Sequence, residues 1–252
     1  MRALACLPLL AGCTQLLGLD NLHQNAAPTD DAAPAPDLAT DDGAGGPPIT
    51  IRGTATLTES LMAAQEPIAN MTIELLRVSD ESVVTSTTTD GAGAFSLTVA
   101  AGSDVMLRGT TGQPPFAVVI PAAPPTADAD FSFSLFNDQA LAQVGSLCPG
   151  NPNGIDPNLG QVLVKLVDAS NTPQAGYSIA SAQPGELTCY PLSNGTGATN
   201  SQGLAIVFDV VPSLDQITAI DPTGPAGQSP VWAIPARSQS FVELRVPTHA
   251  AP

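Results

Sequence analysis

Two stretches of this chain carry the same turn punctuation in the same order, and no other feature constrains the fold as tightly. Pro67-Ile68-Ala69-Asn70-Met71-Thr72-Ile73 aligns with Pro173-Gln174-Ala175-Gly176-Tyr177-Ser178-Ile179 at a shift of 106, and Thr89-Asp90 with Gly93 aligns with Thr199-Asn200 and Gly203 at a shift of 110. Matching order with drifting offsets is what loop insertions in a duplicated domain produce. For the last strand a shift of 110 would pair Phe131 with Phe241. Side-chain alternation instead prefers 111, with Val242, Leu244 and Val246 as the apolar face and Glu243 and Arg245 turned to water. Each motif has a local cause. In Pro-x-Ala-[Asn/Gly], proline fixes φ, and Asn70 or Gly176 takes the left-handed conformation that a tight turn into the next strand needs. In Thr-[Asp/Asn]-x-x-Gly, Asp90 and Asn200 bond nearby backbone amides, and Gly93 and Gly203 permit positive φ.

Between these turns the hydrophobic period is two. Ile49, Ile51, Ala55 and Leu57 alternate with Thr50, Arg52, Thr54 and Thr56, the pattern of a half-buried strand. Further strands are predicted at 71–77, 82–88, 94–99, 104–109, 116–120 and 130–136, and in the second repeat at 160–168, 177–181, 186–190, 204–209, 214–220, 231–234 and 240–246. Phe95, Leu97 and Val99 share a face, as do Phe131, Phe133 and Leu135. The expectation is all-β: two tandem seven-stranded transthyretin-like or immunoglobulin-like β-sandwiches over 49–136 and 159–247, with a five-residue tail at 248–252. The linker at 137–158 holds one short helix near 137–144 with Asn137 as its N-cap. Its Asn151-Pro152-Asn153-Gly154-Ile155-Asp156 stretch reads as turn chemistry, because isoleucine and proline break a calcium-loop pattern.

Composition agrees and excludes several classes of partner. Of 252 residues, 25 are Pro and 22 are Gly, which disfavours long helices. Acids outnumber bases 23 to 7, so nucleic acid and anionic headgroups are poor partners. The excess is spread evenly, with nine acids to three bases over 49–136 and eight to three over 137–252, and implies a neutral or basic partner.

The order strand, Pro-x-Ala-Asn, strand, Thr88-Thr89-Asp90-Gly91-Ala92-Gly93-Ala94-Phe95, strand resembles the carboxypeptidase regulatory-like domain, a transthyretin-like sandwich. The likeness covers 49–136 well and 159–247 less well, since Ala205 or Ile206 stands where that family shows an aromatic residue. It implies a fold and no catalysis.

The N-terminus points to export. Arg2 precedes an apolar run from Ala3 to Leu10 that ends in Leu10-Ala11-Gly12-Cys13, a short secretory signal over 1–12. Leu10-Ala11-Gly12-Cys13 resembles the lipobox of bacterial lipoproteins, and Thr14-Gln15-Leu16-Leu17-Gly18-Leu19-Asp20 looks like the start of many myxobacterial ones. That likeness implies a lipidated Cys13, anchorage in the cell outer membrane facing periplasm or cell surface, and a cleaved signal. An ordinary cleaved signal with Cys13 as a chance cysteine is the alternative. Pro8, Gly12, Thr14 and Gln15 interrupt the apolar run well short of the roughly 20 residues a spanning helix needs. From Asp20 to Pro48 the composition turns to Pro, Ala and Asp with no positive charge, which reads as a disordered tether with an r.m.s. span of roughly 30 Å, so that 13–48 holds the acylated cysteine and its tether. Asp41-Asp42-Gly43 lacks the ligand ladder of a calcium loop.

Chemistry-bearing residues are few. Cys6 falls in the signal and Cys13 at the anchor, which leaves Cys148 and Cys189 to form a disulfide in an exported chain, with two unpaired thiols as the alternative. Neither has a Cys or His at ligand spacing, so no metal is expected. The two histidines, His23 and His249, lie in the tether and the tail. No Gly-x-Ser-x-Gly turn occurs, and Asp128 and Asp130 read as solvated edge charges rather than a glycosidase pair. No cofactor and no catalytic residues are expected. Two readings remain: a non-catalytic envelope lipoprotein that docks other proteins or acts as a spacer, and a polysaccharide-binding module. The latter needs exposed rings from among Phe116, Tyr177, Tyr190 and Trp232. Phe116 and Trp232, in corresponding strands of the two repeats, are the candidate carbohydrate contacts, set against burial in the core.

Overall fold

The computed structural model describes residues 46–60, 62–112, 115–148, 155–183, 187–191, 197–224 and 227–248. The first repeat comprises β1 (Pro48–Thr58), β2 (Glu66–Pro67), β3 (Thr72–Arg77), β4 (Val83–Thr88), β5 (Ala94–Ala100), β6 (Val105–Thr110), β7 (Phe116–Ile120), β8 (Ala129–Asp130) and β9 (Phe133–Phe136). A helix, α1 (Asp138–Ser146), follows. The second repeat comprises β10 (Gly160–Val167), β11 (Ser178–Ser181), β12 (Leu187–Cys189), β13 (Leu204–Val210), β14 (Leu214–Ile220), β15 (Val231–Ala233) and β16 (Ser238–Arg245). The predicted strands and the helix lie where the sequence placed them to within a few residues. The Asn137 side chain accepts from the Ala140 N–H at 2.9 Å, the N-cap read from the sequence.

The repeat holds atom by atom. The Thr89 hydroxyl accepts from the Met71 N–H at 2.9 Å and donates to the Ile68 carbonyl at 2.6 Å. The Thr199 hydroxyl accepts from the Tyr177 N–H at 3.1 Å and donates to the Gln174 carbonyl at 3.0 Å. Asp90 and Asn200 each accept from the N–H two residues on, at 2.8 and 2.9 Å. Gly93 and Gly203 have φ of +76° and +68°. A Cβ at Gly93 would meet the Ala55 carbonyl oxygen, and one at Gly203 the Leu166 carbonyl oxygen, so space and dihedral both demand glycine. Ala55 and Leu166 are therefore equivalent. Since Ala55 pairs with Phe133 and Leu166 with Leu244, the last strands align at a shift of 111, as the alternation required.

The repeats share a sheet. One sheet contains β2-β1-β5, with β8 and β9 parallel to β1; another contains β11-β14-β15; between them runs an eight-stranded sheet in the order β12-β13-β10-β16-β7-β6-β3-β4. The last strand of the second repeat lies parallel to β7 of the first, from Ser238 opposite Phe116 to Val242 opposite Ile120. The pleat then sends the two cores to opposite faces. Ala117, Val119 and Phe241 join the first core with Ile51, Leu75 and Phe95. Val118, Ile120 and Val242 join the second with Leu166, Trp232 and Ile234. The molecule is a staggered three-layer stack, and strands near the seam are buried on both sides. Two-sided burial explains why Phe116-Ala117-Val118-Val119-Ile120 and Leu204-Ala205-Ile206-Val207-Phe208 are continuous apolar runs whereas β5 alternates.

One expectation is corrected here. Glu243 does not point to water. It is 5% exposed, and its Oε1 lies 3.6 Å from Nζ of Lys165, the residue opposite it on β10. The face of β16 away from the second core is covered by the first repeat and α1, and so the carboxylate is buried with its partner. Lys165 is the only lysine in the sequence.

Candidate functional site: the junction between the repeats

Besides the β7–β16 ladder, Gln239 and Glu81 bind one repeat to the other, and Arg237 and the Cys148–Cys189 bond tie the linker with its helix to the second repeat. The Gln239 amide pairs with β9 as a peptide would: its Oε1 accepts from the Phe136 N–H at 2.6 Å and its Nε2 donates to the Phe136 carbonyl at 2.5 Å. Arg237 donates to Asp138 at the start of α1 at 3.3 Å, and its Nε donates to the Pro157 carbonyl at 3.0 Å. Glu81, in the β3–β4 turn at φ +57°, accepts from the Ala233 N–H of β15 at 3.2 Å. Cys148, just after α1, is bonded to Cys189 of β12. The predicted disulfide forms, buried against Val144, Ile206 and Phe208.

Beneath α1, beside the Gln239–Phe136 pair, lies a groove with a cavity of about 70 Å³. Phe133 and Phe136 of β9, Leu141 and Val144 of α1, and Phe208 and Phe241 of the central sheet give it an apolar lining. Its polar members are already engaged. Gln239 is held by Phe136, Gln161 donates to the Asp156 carbonyl at 3.0 Å, and the Ser134 hydroxyl pairs with that of Thr56 at 2.6 Å.

The other sequence-selected residues are placed as follows. Trp232 is 1% exposed and sits in the second core, so neither face of its ring is open to a sugar; the candidate carbohydrate contact at Trp232 is corrected to a core residue. Phe116 is half-buried beside β16, with its N–H on the Arg237 carbonyl at 3.2 Å. Tyr177 is fully buried and donates to the Pro247 carbonyl at 2.7 Å, while the half-buried Tyr190 accepts from the Ile179 N–H at 2.8 Å. Burial pushes both phenols above their ordinary value, helped at Tyr177 by the Asp221 charge. Asp128 accepts from the Thr50 N–H at 2.8 Å and is exposed. Cys13, the signal, the tether up to residue 45, His23 and His249 lie outside the described residues. Among the described residues there is no group of three or more His, Cys, Asp or Glu that could hold a metal, and no helix is long and apolar enough to cross a membrane.

The clasping residues Gln239, Glu81 and Arg237 were not selected from the sequence. A signal existed for the seam itself, in the non-alternating strand β7. None existed for the side chains, whose partners lie 80 to 152 residues away.

Together these layers define a tandem β-sandwich protein. No protein-family model matches the chain, and no curated protein does. Among solved structures it is similar to the shaft pilin SpaA of Lactobacillus rhamnosus GG, at 8% identity and TM-score 0.29, covering 82% of this chain and 100% of that one. It is also similar to the Bacillus anthracis TIE protein, at 10% identity and TM-score 0.27, covering 80% of this chain and 34% of that one. A dioxygenase domain from Streptomyces sp. SirexAA-E gives 11% identity and TM-score 0.30 over 46% of this chain and 96% of that one. The chain spans about a third of the TIE protein. Likenesses at these scores carry no functional argument.

Proposed function

We propose that this chain is a membrane-anchored, non-catalytic lipoprotein of the cell envelope, in which two fused sandwiches act as a rigid spacer and docking body. The observation that carries the reading is the shared eight-stranded sheet. A binding module held on a flexible tether gains from presenting its surfaces in one fixed relation, because rigidity lowers the ordering cost of association. Export is supported by the disulfide, a bond of oxidising compartments, and by the lipobox-like Leu10-Ala11-Gly12-Cys13. Cys13 is the residue proposed to carry the lipid, and membership of the carboxypeptidase regulatory-like group belongs to the same proposal. The acidic surface favours a neutral or basic envelope partner.

Fractionation of cells carrying Cys13→Ala tests the anchor: release to the soluble fraction is expected, and unchanged membrane association would remove the lipoprotein claim. Crosslinking in intact cells beside a polysaccharide array tests the docking role. Capture of a protein neighbour without sugar binding is the expected pattern, and turnover of a substrate by the purified chain would overturn it.

A further inference from the structure

We propose that the groove beneath α1 is a strand-addition site, and that its occupant is the chain's own Leu16-Leu17-Gly18-Leu19 segment. The starting point is the outer edge of β9. Along this strand the Phe131 and Asn137 N–H groups point to β1, onto the Arg52 and Thr58 carbonyls, whereas the Phe136 N–H points the other way, onto Gln239. The N–H and C=O of a strand residue share one side, and that side alternates along the strand. Ser134, two residues before Phe136, therefore turns both of its backbone groups away from β1 and toward the groove that it lines. Since β9 pairs with β1, no strand among the described residues takes them. Gln239 already stands where a next strand would run: its carboxamide satisfies Phe136 as a peptide group does, and goes no further. A half-buried edge with one peptide-like pair made and the next one open is completed by an extended chain, which a hydrocarbon ligand cannot supply.

The cavity beside that edge selects the side chain. Its volume of about 70 Å³ is roughly half of the ~150 Å³ apolar cavity that admits benzene, which suits one branched aliphatic side chain and no aromatic ring. None of its lining residues is charged, so an aspartate of the tether would lose its hydration there with no partner. Beyond the signal, and outside the described residues, Leu16, Leu17 and Leu19 are the one cluster of large apolar side chains. Residues 20–45 hold six aspartates and only the isolated Leu22 and Leu38, and no other such segment has more than one leucine. In an extended segment Leu17 and Leu19 fall on the same face, so one fills the cavity while the other covers its mouth. Reach selects the same segment. Ser134 lies opposite Thr56, eight residues along β1 from Pro48, or ~26 Å. The 29 residues from Leu19 to Pro48, counted as a coil, have an r.m.s. span of roughly 30 Å. A linker whose r.m.s. length matches the span gives the highest effective concentration, so a site too weak to hold a free peptide holds this one. The leucines lie beyond Cys13, and docking needs no lipid there; it stands or falls apart from the anchor.

Residue-resolved hydrogen exchange of the purified exported chain, at two dilute concentrations, tests this. The amides of residues 16–19 should exchange about tenfold or more slowly than those of 39–45 in the same tether, after correction for intrinsic rates, and the Ser134 amide should be protected with them. Leu17→Asp, outside both sandwiches, removes the protection of 16–19 and of Ser134 together. Ser134→Pro deletes an N–H that β1 does not use and also frees 16–19, while Ser134→Ala, which keeps that N–H, leaves them protected. Should the proline disturb folding, Leu17→Asp decides alone through the Ser134 amide. Residues 16–19 exchanging at the rate of 39–45 in the unmodified chain, or protection that survives Leu17→Asp, would overturn the proposal. Protection of Ser134 that grows with protein concentration while 16–19 exchange freely would overturn it as well, and would make a second copy the occupant.

Discussion

In the first repeat the β4-β3-β6-β7 half-sheet gives its β7 edge to β16, whereas in the second the corresponding β11-β14-β15 sheet ends at β15 among the described residues, with the Ala233 N–H on the Glu81 carboxylate. The fourth strands diverge as well. β4 pairs with β3, but its counterpart β12 crosses to β13, where the Cys148–Cys189 bond holds it to the end of α1. The turns before and after these strands remain superimposable, down to the threonine hydroxyl and the positive-φ glycine. A duplicated sequence therefore keeps what is satisfied locally and diverges wherever a strand edge or a sheet face must find a neighbour.

That comparison can be tested from its largest expected consequence downward. Trp232→Ala empties a core site and should cost about 3–5 kcal/mol, against about 1 kcal/mol for Phe116→Ala on the half-buried equivalent strand, measured by denaturant unfolding. Equal costs would mean the two rings play the same part. Replacing both Cys148 and Cys189 with Ser should lower stability by roughly 3–4 kcal/mol in the loop-entropy account, and hydrogen exchange should then rise in β12 before it rises in β4.

Gly93→Ala and Gly203→Ala each force a side chain into positive φ against a carbonyl, and both should cost about 3 kcal/mol. A clear difference between them would break the equivalence of the turns. Thr89→Val and Thr199→Val each leave a buried N–H unpaired, and the losses should match at about 1–2 kcal/mol.

The smallest effect concerns Asp168. The Thr172 N–H, opposed by burial and aided by the Ser170 N–H, holds its carboxyl below the ordinary range. A lowered carboxyl contributes stability above its unfolded pKa that is lost as pH falls through the folded value. Asp168→Asn should therefore flatten the acid side of a stability–pH curve and leave the slope near neutrality unchanged.

How far the fold could be read from residues follows from the same contrast. Alternation placed β1 and β5, turn residues placed the hairpins, and the 111-residue offset of the last strand came from side-chain parity alone. The disulfide followed from elimination in an exported chain. Trp232 was open to two readings, since an aromatic ring in a short strand faces either way until the covering layer is known. Glu243 was misread because alternation treats the face opposite a core as solvent, and on β16 that face meets the other repeat.

By itself, then, the sequence determined the all-β class, the duplication, the strand positions and the turn geometry. These rest on backbone dihedrals, hydrogen bonds within a hairpin and a two-residue period, all of which are decided within about twenty residues of chain. Only the tertiary structure decided that the two sandwiches share a sheet, that Lys165 and Glu243 are buried together, and that Gln239 reaches the outer edge of β9. Those outcomes depend on which unpaired edge reaches which other edge across the molecule, and an edge strand's free N–H and C=O groups carry no label for a partner over a hundred residues away.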